Sequence, residues 1–323
     1  MRNILSWLFT LTFSVVGAAE TAPPIRIGTL AFGTLNWELA VIRSQGLDKA
    51  QGITLETTEL ASPEAGRIAL QGKSVDVIVS DWIWVARQRQ QGQDFTFAPF
   101  SASHGALMVA GGSPIQGLAD LEGKRLGVAG GGLDKNWLLL KALAQKTKQL
   151  DLEQKAKLSF GAPPLLSQEL QQGKLDAVLT YWNYAAKLEA QGYRQVLDGR
   201  QIQKALGIDT EVPALGYVFR DSWAQGNTKA IAGFLKAAAE ARQRICESDA
   251  IWREVVPLTQ ETDARIQASL RQHYCAGRVT GFGGAEQEAA QQVFDLVQQF
   301  DDQASKDGIR TLPAGVFWSA TVR

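Results

Sequence analysis

The sequence predicts an α/β molecule of two lobes, each a mostly parallel sheet flanked by helices. Three observations predict it. The chain has 323 residues, and single hydrophobic cores stop growing near ~250–300 residues. Its strand candidates are short apolar runs without polar alternation, as expected of strands buried on both faces. One pattern also occurs twice. Residues 72–86 match residues 173–186 with one residue missing in the second copy. Asp76 then aligns with Asp176, Trp82 with Trp182, Trp84 with Tyr184 and Ala86 with Ala186, and Gly92 and Gly192 close both segments.

The N-terminus comes first. Met1, Arg2 and Asn3 carry a positive charge, residues 4–16 are apolar, and Gly17, Ala18 and Ala19 are small. This is the layout of a secretory signal peptide over residues 1–19. The apolar run is shorter than the ~20 residues a membrane span needs. The expected location is the periplasm. Strands are then expected at residues 25–30 and 75–80, and again at 125–130 and 175–180. Helical spacing follows them, in Leu39, Ile42 and Leu47, and in Leu138, Leu139 and Leu143. Each half reads strand, helix, strand, helix, which gives a parallel sheet with right-handed crossovers. Residues 105–110 and 215–219 are isolated apolar strands. Two such connections let the chain leave one lobe, build the other and return. Lobe 1 is therefore residues 25–104 with 216–323, and lobe 2 is residues 105–215. Beyond residue 222 the pattern is helical. Ile231, Phe234, Leu235, Ala238 and Ile245 share one apolar face, and Ala289, Val293, Leu296 and Val297 another.

Composition narrows the function. Lys and Arg total 33 and Asp and Glu total 33, so no basic surface is available to neutralise nucleic-acid phosphates. Two His and two Cys are too few for a multi-ligand zinc site or an iron–sulfur cluster. No metal and no cofactor is expected. Cys246 and Cys275 form either one disulfide, as an exported pair does in an oxidising compartment, or two buried thiols. Catalytic patterns are missing. Gly72, Lys73 and Ser74 look like the end of a phosphate loop, but Arg67 stands where its first Gly belongs. His104 precedes a connecting strand and His273 lies in a late helix, neither with a visible partner base or nucleophile.

In open parallel sheets ligands bind beyond the carboxyl ends of the strands. All four junctions carry a Trp: Trp37, Trp82, Trp137 and Trp182. Helix N-termini there offer free N–H groups to an anion. The candidate ligand residues are Phe32, Thr34, Asn36, Trp37, Ser80, Asp81, Trp82, Gly131, Gly132, Asn136, Trp137, Tyr181, Trp182 and Asn183. Each has a plainer alternative. A Trp packs in cores, Thr34, Asn36, Asp81 and Asp134 cap helices, and glycines 130–132 make turns. Glu38 and Asp81 face the cleft and favour a cation, or serve as acidic groups in a first helical turn.

The residues so far carry a resemblance. Residues 25–34, Gln71 to Asp76, the Asp-Leu-x-Gly-Lys segment from Asp120 to Lys124 and Gln172 to Ala177 resemble the type II periplasmic solute-binding proteins of ABC transporters. The members in view serve sulfonates, nitrate, taurine and thiamine-pyrimidine precursors. The resemblance covers about residues 25–300. It implies two lobes on a two-strand hinge, closure around one small-molecule ligand, and delivery by a monomer to an ABC transporter permease. The loops after the strands here carry more Trp than the sulfonate binders, together with Glu38 and Asp81. Two alternatives share the fold: an enzyme like the thiamine-pyrimidine synthases, and a module that senses or delivers a ligand without a transporter.

Overall fold

The computed structural model describes residues 23–279, 281–299 and 311–319. The signal-peptide reading lies outside them. The first half runs β1 (Ile25–Leu30), α1 (Leu35–Ser44), α2 (Leu47–Ala50), β2 (Leu55–Leu60), α3 (Pro63–Gln71), β3 (Val77–Ser80), α4 (Trp82–Gln90) and β4 (Phe95–Ser101). The second runs β5 (Ala106–Val109), β6 (Arg125–Ala129), α5 (Lys135–Lys148), α6 (Leu152–Lys155), β7 (Lys157–Gly161), α7 (Pro163–Gln171), β8 (Ala177–Thr180), α8 (Trp182–Ala190), β9 (Arg194–Asp198) and α9 (Gly199–Ala205). The chain returns through β10 (Leu215–Arg220) to α10 (Asp221–Gly226), α11 (Thr228–Glu247), α12 (Asp249–Val255), α13 (Ala264–Ala276) and α14 (Gly284–Gln298).

Two five-stranded sheets result, in the orders β2-β1-β3-β10-β4 and β7-β6-β8-β5-β9. In each, the three strands of the repeat are parallel. In each sheet the strand that follows a crossover runs antiparallel between its neighbours: β10 between β3 and β4, β5 between β8 and β9. The chain crosses through residues 102–105 and returns through residues 206–214. The returning crossover is held to the end of β4, where Ala214 N–H donates to Ser101 O at 2.8 Å.

The repeat is physical as well as sequential. Asp76 accepts from the backbone N–H, Nε and Nη2 of Arg26. Asp176 accepts from the same three groups of Arg125. Because each carboxylate reaches back to an Arg at the start of the neighbouring strand, β3 and β8 begin at Val77 and Ala177, two residues later than the apolar runs suggest. Gly28 and Gly127 occupy matching places in β1 and β6. A Cβ there would come 2.7 Å from Leu60 Cδ1 or 2.6 Å from Leu175 Cδ1, so a larger residue would push those leucine side chains aside.

Each half carries strands beyond those expected. β2 and β7 are edge strands with largely exposed side chains, and so lack an apolar run. β4 and β9 close the opposite edges. The disulfide is formed: Cys246 and Cys275 join α11 to α13 across 29 residues. A loop of that length stabilises the fold by about 3–4 kcal/mol in the chain-entropy description. α14 packs on α5, burying Val293 and Phe294 in the core that holds Trp137 and Leu138.

Candidate functional site

A cavity of about 140 Å³ lies between the sheets, a size comparable to the ~150 Å³ that accommodates a benzene ring. Lobe 1 contributes Phe32 and Thr34 after β1, Ser80 and Asp81 after β3, and Arg67 from α3. Lobe 2 contributes Asp134, Lys135 and Asn136 at the start of α5 and Tyr181, Trp182 and Asn183 after β8. β4 supplies Phe100, and the crossovers Ser103, Gly105 and Ala214. The wall is thus built at the carboxyl ends of parallel strands, where helix N-termini converge.

Asp81 and Asp134 are helix caps first. Asp81 accepts from Trp84 N–H at 2.9 Å, and Asp134 from Asn136 N–H at 2.8 Å. Asp81 also pairs with Arg67 Nη2 at 3.0 Å, and the Arg67 guanidinium lies over the Trp84 ring, 5.4 Å from its centroid. That pair neutralises itself. Lys135 is different. Its side chain is buried, and its Nζ donates to Ala214 O at 2.8 Å. An ammonium has three donors, and no ion pair within 4 Å is formed by this one among the described residues. Burial lowers the Lys135 pKa, while the charges of Asp81 and Asp134 oppose that. Asp134 keeps some solvent exposure, yet burial of its carboxyl pushes its pKa up to about 6, with Lys135 pulling the other way.

Neutral groups complete the wall. Asn136 Oδ1 is buried with no hydrogen-bond partner among the described residues, an acceptor of the kind that proteins otherwise satisfy. Gly130, at φ +86°, lets Tyr181 OH and Asp134 Oδ2 approach to where a Cβ would be 2.6 and 2.8 Å away. Burial raises the Tyr181 pKa, so the phenol stays protonated. Asn183 Nδ2 donates to Phe32 O across the cleft at 3.3 Å.

Of the sequence candidates, Phe32, Thr34, Ser80, Asp81, Asn136, Tyr181, Trp182 and Asn183 line this cavity. Asn36, Trp37, Trp82, Gly131, Gly132 and Trp137 do not. Asn36 Nδ2 donates to Leu30 O at 2.8 Å and borders a separate surface groove. Gly131 and Gly132 lie in the loop before α5, clear of the cavity. Trp37 packs edge-on against Trp182 and Trp252. Trp82 lies against Phe317, 5.9 Å between centroids, because residues 316–318 run along β4 and bond to Phe97. Trp137 is wholly buried under Phe160. Three of the four indoles thus pack in apolar cores away from the cavity, and Trp182 alone of the four reaches it.

Glu38 sits in the first turn of α1, and its cleft-facing reading is corrected. It faces the core of lobe 1, fully buried, accepting from Tyr217 OH, from Tyr274 OH at 2.9 Å and from Arg242 Nη1 at 3.2 Å. Burial pushes its pKa up and Arg242 opposes that. His104 is buried behind Ser103 and Gly105, outside the lining, and burial holds its pKa well below the usual value. His273 Nε2 meets Glu189 Oε2 at 2.8 Å. Sequence reasoning missed Arg67, Lys135, Asp134 and Phe100 as lining residues. Asp134 and Lys135 had one signal, their place at the start of a helix that follows a strand.

The comparisons with known proteins fit this geometry. A family model described as NMT1/THI5 like matches residues 33–249. The periplasmic aliphatic sulphonate binding protein SsuA of Escherichia coli has a similar structure, with a TM-score of 0.70 at 22% identity over 92% of this chain and 93% of that one. The alkanesulfonate-binding protein SsuA of Xanthomonas axonopodis pv. citri, bound to MOPS, gives 0.70 at 16% identity over 93% and 99%. An ABC transporter protein of Parabacteroides distasonis gives 0.63 at 14% identity over 92% and 98%. No curated protein matches the chain by sequence. The structural likeness shows the fold, the two-lobed one that periplasmic binding proteins have.

Proposed function

Because the chain belongs to the NMT1/THI5-like family, we propose that it is an exported solute-binding protein. It captures a small organic ligand or anion between its lobes and delivers it to an ABC transporter permease. One observation carries the reading: both lobes and both crossovers wall a single cavity. A ligand that touches both lobes favours the closed form over an open one, since it gains contacts only there. Phe32, Phe100 and Trp182 offer apolar area with few rotamers to freeze. Lys135 offers unpaired donors to an anionic or carbonyl oxygen, and Asn136 Oδ1 an acceptor to a ligand N–H or O–H. The relatives named for sulfonate binding support an oxygen-rich anion among the ligands to try first.

The test is calorimetric titration with MOPS, taurine, other small alkanesulfonates, nitrate and a hydroxymethylpyrimidine. One class is expected to bind with a single site. Trp182→Ala is expected to weaken that binding by about 1–3 kcal/mol, the cost of losing a desolvated aromatic contact. Unchanged affinity in the variant contradicts a ligand seated in this cavity.

A further inference from the structure

We propose that α13 is a strut that holds α8, and with it the cavity wall residue Trp182, in place, and that the Cys246–Cys275 disulfide is what fixes the strut. Calling Trp182 a wall residue rests on the ligand reading above; the strut itself does not.

α13 has two working faces. Ile266, Ser269, Leu270, His273 and Tyr274 form a stripe at helical spacing, and this stripe meets α8 and the lobe 1 core. Ser269 Oγ donates to Ala186 O at 2.9 Å. His273 Nε2 meets Glu189 Oε2 at 2.8 Å. The Tyr274 ring lies 6.1 Å from that of Trp182, and its hydroxyl is tied to buried Glu38. Just before α13, Glu261 pairs with Lys187 of α8 at 2.7 Å, and Lys187 Nζ also donates to Thr259 O. The other face binds lobe 1. Cys275 is joined to Cys246, and Arg271 donates to Ile245 O and Cys246 O at the end of α11. The strut also grips the first crossover, where Ala102 N–H donates to Gly277 O at 2.7 Å and Ser103 Oγ to His273 O.

α8 belongs to lobe 2, while α11 and Glu38 belong to lobe 1, so α13 bridges the lobes beside the cleft. Several of the polar contacts to α8 are exposed, and beneath them Trp182 and Ala186 of α8 share a buried apolar core with Ile266, Leu270 and Tyr274 of α13. They act together only if α13 is held rigid. The disulfide supplies that rigidity at the residue next to Tyr274. Tyr274 and the Cys246–Cys275 pair are therefore positioning residues for the cleft wall.

The test needs no ligand, so its failure is separate from failure of the binding reading. Hydrogen exchange of the whole chain is compared with that of the Cys246→Ala/Cys275→Ala double variant. Exchange across α8 and α13 is expected to rise by about tenfold while β1 and β6 stay within about twofold, since local opening is released without global unfolding. Unchanged exchange in α8 overturns the proposal. So does an equal rise everywhere, which marks a staple of global stability. Should the double variant fail to fold, Lys187→Met/His273→Leu, which keeps the disulfide, is read the same way. A local rise in α8 supports the strut, and its absence overturns it.

Discussion

Asp134 and Lys135 are neighbours in the chain and both reach the cleft, where burial acts on them in opposite senses. Burial raises the carboxyl pKa to about 6 and lowers that of the ammonium. The folded Asp134 therefore holds its proton above the usual carboxylate range, and between about pH 4 and 6 the native state binds more protons than the unfolded one. Stability contributed by this group falls as pH rises through that window. Asp134→Asn keeps a capping side chain and removes the charge. Urea unfolding at pH 7.5 is expected to show the variant gaining about 1–2 kcal/mol on the native sequence relative to pH 5. An identical difference at both pH values contradicts the buried charge. At this scale the sequence was legible where a residue's role is local. The capping alternative for Asp81 needs only the next three residues. The indoles were not legible, because what covers Trp82 is Phe317, far along the chain. Glu38 likewise owes its burial to Arg242 and Tyr274, which approach only once the late helices pack.

The elements repeat, but their surroundings do not, and this separates two matching carboxylates. Asp76 is 3% exposed and has Arg220 3.8 Å away as well as Arg26. Asp176 is 30% exposed with Arg125 as its partner. Removing a buried acid leaves its partners uncompensated, whereas an exposed pair contributes little. Asp76→Ala is expected to lower stability by about 3 kcal/mol, and Asp176→Ala by much less, both read from urea midpoints. Equal losses would contradict the burial difference. Hydrogen bonding to Arg125 holds the Asp176 pKa down at about 2, so what it does contribute is present above about pH 4 and fades as pH falls toward 2. The duplicated strands β1, β3, β6 and β8 were legible because burial on both faces leaves an apolar run. β2 and β7 were not, because an edge strand facing water carries residues such as Glu56, Thr57 and Glu59.

For the whole molecule, two lobes and a return of the chain follow from the repeat and its two isolated apolar strands. The antiparallel insertion of β10 and β5 between their neighbours does not, since an apolar strand carries no mark of its direction in the sheet. Nor does the reach of α14, read with lobe 1, onto α5 of the second half. The central claim is that one small molecule is held between the lobes by Trp182 and Lys135. Native mass spectrometry of the chain isolated from a periplasmic extract tests it most directly. The expected result is a single small-molecule adduct at one per chain, lost or sharply reduced in Trp182→Ala and in Lys135→Met. An adduct retained at full occupancy in both variants would place the ligand elsewhere and contradict the claim.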